Sequence, residues 1–127
     1  MDEILEVLIS RMDEHGYTRV DEIDVELWAN RLDLSVSIFL DQMGELIARK
    51  YHSGNLTFEF CDSLVNDLWG VLIERVHMPG EIDWPDLFHE VYEAFDAGEY
   101  HRTSDQSDDP IADFTDPLIA VIVGKLH

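Results

Sequence analysis

Apolar residues recur along this chain at helical intervals, in stretches separated by short polar breaks. Ile4, Leu5, Leu8 and Met12 predict a first helix over residues 2–15, with Gly16 as a natural stop. Residues 17–23 read as a short extended segment. Asp24 is placed to cap a second helix, Val25 to Leu32. Beyond Asp33-Leu34-Ser35 a third runs to about Lys50, with Ile38, Phe39, Met43, Leu46 and Ile47 inward. Ser53-Gly54-Asn55 signals a turn, and the alternation in Thr57-Phe58-Glu59-Phe60 predicts a brief strand, hence a short β-hairpin near 51–60.

Asp62 is then positioned to cap a fourth helix through about Val76. Its apolar positions cover more than half the helical circumference, leaving Ser63, Asn66, Asp67, Gly70 and Glu74 as a polar strip, so it is expected at the centre of the fold. Met78-Pro79-Gly80 breaks it. A fifth helix is predicted from about Trp84 to Ala97, with Pro85 in its first turn and Gly98 after its end. A polar loop spans 101–114, and a last helix starts near Thr115. The apolar stripes continue across every turn. The expected fold is therefore all-α: one domain over residues 1–127, built as a bundle of about five to six helices.

Composition supports a packed core, since 46% of the 127 residues are hydrophobic. The three Trp and most Phe fall at helical core spacing and read as core. Cys61 is the only cysteine, so no intramolecular disulfide is available and a small buried hydrophobe is its expected role. Met1 to Ser10 carries three acids and no base, unlike a secretory signal, and the apolar run Leu118 to Val123 is too short to span a bilayer. A reducing cytoplasm is the expected location.

The net charge of -20 changes the picture more than any motif. It repels nucleic acid and anionic lipid and attracts basic proteins, and the densest basic pair is only Arg49-Lys50. Residues 81–116 hold twelve acids against one base, Arg102. Within them Asp83, Asp86, Glu90 and Glu93 step by three, four and three residues, which keeps them on one helical face. Leu87, Phe88, Val91, Tyr92 and Phe95 fall on the opposite face. The fifth helix is thus expected to bury its aromatic side and present a carboxylate stripe, either as a solvated face or as a docking face for a basic partner.

Candidate chemistry is sparse. Glu74-Arg75-Val76-His77 and Asp86-Leu87-Phe88-His89 both space an acid and a histidine as helical dinuclear metal sites do, but such sites need carboxylates from two further helices. His89 and Glu93 lie one turn apart, without the His-Glu-x-x-His pattern of zinc enzymes. Asp105, Asp108, Asp109, Asp113 and Asp116 crowd one loop, in an order that departs from the EF-hand pattern. No Gly-rich phosphate loop, nucleophile elbow or Cys-x-x-Cys occurs. No metal ligand set, cofactor or catalytic residue is assigned.

Residues 24–60 resemble a helix-turn-helix followed by a short wing. The resemblance rests on Val25 to Leu32, the Asp33-Leu34-Ser35 turn, the helix ending Leu46-Ile47-Ala48-Arg49-Lys50, and Ser53-Gly54-Asn55. It implies a second helix lying in the DNA major groove. The face that would read bases offers Ser35, Ser37, Asp41, Gln42 and Glu45, none of them cationic, so nucleic acid is not an expected partner.

The leading expectation is a non-enzymatic, acidic interaction module that binds a basic protein, as an immunity or inhibitor protein does, through Asp83, Asp86, Glu90 and Glu93. The alternatives are a metal protein or enzyme using His77, His89 and the Asp-rich loop, a self-associating structural subunit, or a helix-turn-helix regulator.

Overall fold

The computed structural model describes residues 1–12, 17–78, 80 and 82–126. Six α-helices follow in order: α1 (Asp2–Arg11), α2 (Glu22–Arg31), α3 (Val36–His52), α4 (Phe58–Val76), α5 (Asp86–Asp96) and α6 (Asp116–Lys125). A short π-helical segment, Ile111–Thr115, runs directly into α6. No strand occurs among the described residues. The chain is an all-α, single-domain bundle.

Side-chain caps open α2, α3 and α4, and two of these caps lie upstream of the expected ones. Asp21, not Asp24, caps α2: its carboxylate accepts the Asp24 N–H at 3.0 Å, and Asp24 reaches back to the Asp21 N–H at 3.4 Å. This reciprocal capping box draws Asp24 inside the helix. Thr57, not Asp62, caps α4, accepting the Phe60 N–H at 3.2 Å. The predicted hairpin near 51–60 is absent for the same reason. Ser53-Gly54-Asn55 does turn, with Gly54 at φ 82°, but Phe58 and Phe60 then lie in the first turn of α4. Residues 17–21 are non-helical without forming a strand, and helix α1 ends at Arg11. The predicted stop at Gly16 lies outside the described residues.

Helix α3 is the hub, touching α2, α4, α5 and α6. Its Phe39, Leu40, Met43 and Ile47 are buried, whereas Ile38 points to solvent. They meet Leu64, Leu68 and Leu72 of α4, Phe88, Val91 and Phe95 of α5, and Ile119 and Ile122 of α6 in one core. Each large buried apolar side chain contributes roughly 1.5–3 kcal/mol of burial free energy. Helix α4 is less enclosed than its pattern suggests: Trp69 packs against the core only in part, and Val76 is exposed.

Polar contacts fix the periphery. Arg11 of α1 grips Asp24 of α2 through both guanidinium nitrogens, at 2.6 and 3.0 Å, and lies over the Trp28 ring. Arg75 near the end of α4 pairs with Glu22, at 3.2 Å, and with Glu26 of α2. Asp67 of α4 accepts the Thr18 hydroxyl at 2.7 Å and the Val20 N–H at 2.8 Å, tying down the segment before α2. Helices α3 and α5 approach closely at Gly44, where a Cβ would come within 3.1 Å of the Phe88 Cα.

The helix-turn-helix expectation meets a mixed outcome. Helices α2 and α3 form with a short turn between them, but the wing is replaced by the entry to α4. Ser37 is buried, and Asp41 accepts the Phe88 N–H at 3.0 Å. Helix α5 therefore occupies part of the face that would have read DNA.

Candidate functional site

Asp83, Asp86, Glu90 and Glu93 are all exposed, on α5 and the three residues before it. The opposite face is buried through Phe88, Val91, Ala94 and Phe95, so the amphipathic division follows the expected spacing for Asp86, Glu90 and Glu93. Helix α5 starts at Asp86 rather than near Trp84, however, and Asp83 lies in the non-helical segment before it. The four acids do not share one environment. Lys125 of α6 reaches Glu90 at 3.2 Å, and the His89 Nε2 lies 2.7 Å from Glu93. Asp83 lies at the edge of a cavity of about 580 Å³ that also includes Arg75 and Met78.

Beside the stripe lies an aromatic cluster that spacing alone assigned to the core. Trp69 of α4 stacks on Tyr92 of α5, with ring centres 4.2 Å apart and planes 8° from parallel. Trp69 also stacks on His89 at 5.4 Å, while Trp84 stands perpendicular to both, at 5.9 and 5.3 Å. Trp84 is 39% exposed and sits in sequence between the stripe residues Asp83 and Asp86. A usable signal was present: Trp84 falls before Pro85, ahead of the helix that would have turned it inward.

Hydrogen bonds hold this cluster in place. The Trp84 Nε1–H donates to His89 Nδ1 at 3.3 Å, which assigns the His89 proton to Nε2, where it donates to Glu93. His89 thus connects an exposed indole to a stripe carboxylate. It is not paired with Asp86 as a metal ligand set would require, and His77 is an exposed residue at the end of α4. Among the described residues no group of three or more His, Cys, Asp or Glu is arranged to hold a metal ion.

At the far end of the same α4–α5 seam lies a carboxylate cluster that was also missed. Asp62 of α4 faces Glu99 and Asp96, and the Asn66 Nδ2 donates to the Asp62 backbone carbonyl at 2.8 Å while reaching the Glu99 carboxylate at 3.4 Å. Burial, then the charges of Glu99 and Asp96, push the Asp62 carboxyl up to about 7, so a proton is retained in this cluster far above the usual carboxylate range and is lost around neutral pH. Tyr92 is raised by burial and by the same acids. Reading Asp62 as a helix cap concealed this role.

The Asp-rich loop uses its carboxylates separately. Asp108 accepts the Arg102 N–H at 2.8 Å and the Thr103 hydroxyl at 3.0 Å, and these bonds hold it far below the usual carboxylate range. Asp105 accepts the Ser107 N–H at 3.1 Å and Asp109 that of Ala112 at 3.2 Å. Asp116 accepts the Tyr51 hydroxyl at 2.6 Å. These acids organise their own backbone and the packing of α6 on α3. Cys61 is buried, and burial pushes its thiol far above the ordinary range, which disfavours a thiolate nucleophile.

Compared with protein-family models, curated proteins and solved structures, the chain matches none. No helix among the described residues is long and apolar enough to cross a membrane.

Proposed function

We propose that this protein is a non-enzymatic interaction module that binds a basic protein through the outer face of α5, in the manner of an immunity or inhibitor protein. The observation that carries this reading is the adjacency of the exposed acids Asp83, Asp86, Glu90 and Glu93 to the partly exposed Trp69, Trp84 and Tyr92. Aromatic side chains supply desolvated anchoring area at interfaces, and surrounding carboxylates steer a cationic partner and reject an acidic one. A cationic nuclease or toxin fits that chemistry. The single, buried Cys61 suits a reducing cytoplasm.

The test measures association with a panel of cationic nucleases and toxins at about 50 and 500 mM salt. Replacing Asp83, Asp86, Glu90 and Glu93 together by Lys should lower the on-rate by tenfold or more. The same reversal at Asp2, Glu3, Glu6 and Glu74, which are also exposed, should change it much less. Equal losses from the two variants would reduce the effect to net charge and remove α5 as the binding face.

A further inference from the structure

We infer that the aromatic surface at the α4–α5 seam is an arginine-docking platform, so that arginine rather than lysine is the partner's recognition residue. This inference rests on the reading of α5 as the binding face and adds the chemistry of the group it receives.

Arginine and lysine carry the same charge but present it differently. A guanidinium is planar, stacks on aromatic faces and bonds carboxylates through two parallel N–H groups, whereas an ammonium is a compact, strongly hydrated point charge. Both features that favour arginine occur here. Trp84 offers an exposed indole fixed by its bond to His89 and by perpendicular packing on Trp69. The ring is therefore preorganised, and little side-chain entropy is lost when a guanidinium lies on it. Exposed carboxylates lie close to it along the chain, Asp83 and Asp86 before and after it in sequence, and Glu93 is bonded to the same His89 that holds the ring. Their negative charge complements a cation brought to this face.

The protein uses this chemistry internally. Arg102 lies over the Phe114 ring at 3.7 Å and over Tyr100 at 4.1 Å, and Arg11 lies over Trp28 at 5.4 Å while gripping Asp24. In the seam, by contrast, the rings of Trp69, Trp84 and Tyr92 pack on one another and on His89. The exposed acids of the same region, Asp83, Asp86 and Glu93, then complement a guanidinium brought by a second molecule.

The experiment titrates full-length protein with an octa-arginine and an octa-lysine peptide of equal charge, following indole N–H resonances and tryptophan fluorescence. The octa-arginine peptide should bind about tenfold more tightly, with the Trp84 indole among the resonances most shifted. Trp84→Leu keeps apolar bulk without a π face; it should abolish the preference by weakening octa-arginine binding much more than octa-lysine binding. Trp84→Phe should restore part of it. Salt-dependent binding of both peptides with equal affinity, or a preference that survives Trp84→Leu, would overturn the inference and leave the acidic docking face standing. No salt-dependent binding of either peptide would overturn the docking face as well.

Discussion

Asp62 shows how a single side chain can work against the fold that holds it. Its carboxyl titrates at about 7 in the folded chain against an ordinary 3.8, so the folded state holds a proton that the unfolded chain releases. The stability this proton contributes is fully present below about pH 4 and is lost as pH rises through about 7. Asp62→Asn should therefore match the wild type near pH 4 and exceed it by about 1–2 kcal/mol at pH 8, a figure discounted for the group's partial exposure. Urea denaturation at the two pH values measures the difference, and a variant less stable at pH 8 would contradict it. The opposite sign holds at Asp24, whose carboxyl is lowered by its bonds to Arg11, so that contribution is lost on acidification. Neither role was readable from residue type, because an Asp preceding an apolar run looks like a cap whether or not it lies inside a helix.

At the scale of elements the sequence was legible where period dominates and illegible where caps compete. Phe60, Cys61, Leu64, Val65, Leu68 and Leu72 form one helical stripe, and extending that stripe back by one turn would have placed the cap at Thr57. The alternation of Phe58 and Phe60 obscured it, since two apolar residues two positions apart fit both a strand face and a wide helical face. The stripe of α5 was legible because its acids and aromatics have the same 3.6-residue period. The aromatic cluster was not, because it joins α4 to α5 across the seam and no local pattern encodes that pairing. The contact between α3 and α5 offers a test: Gly44→Ala would place a methyl 3.1 Å from the Phe88 Cα, where backbone rather than a flexible side chain must yield. Thermal unfolding should reveal a loss of about 1–2 kcal/mol. Stabilisation by the usual Gly-to-Ala gain in helix propensity would show that the two helices separate freely.

For the whole molecule the decisive quantity is the net charge of -20. Ion pairs such as Arg11–Asp24 and Arg75–Glu22 offset it only locally. Self-repulsion should dominate the salt response, so the melting temperature should rise by several degrees between about 20 and 500 mM sodium chloride. A falling melting temperature would place the ion pairs above the repulsion. Sedimentation at the same two concentrations addresses self-association: Ile23 and Leu27 are exposed one turn apart on α2, and an apolar association held back by charge would grow with salt.

The bond from the Phe88 N–H to Asp41 also bears on the order of folding. Helix α5 has eleven residues and no side-chain cap of its own, and an isolated helix of that length is marginal in water. The acceptor that closes its first turn arrives from α3, 47 positions earlier in the chain. The helix carrying the acidic stripe should consequently consolidate only after α3 is in place. A peptide excised from this region should be largely unstructured and a poor substitute for the intact protein.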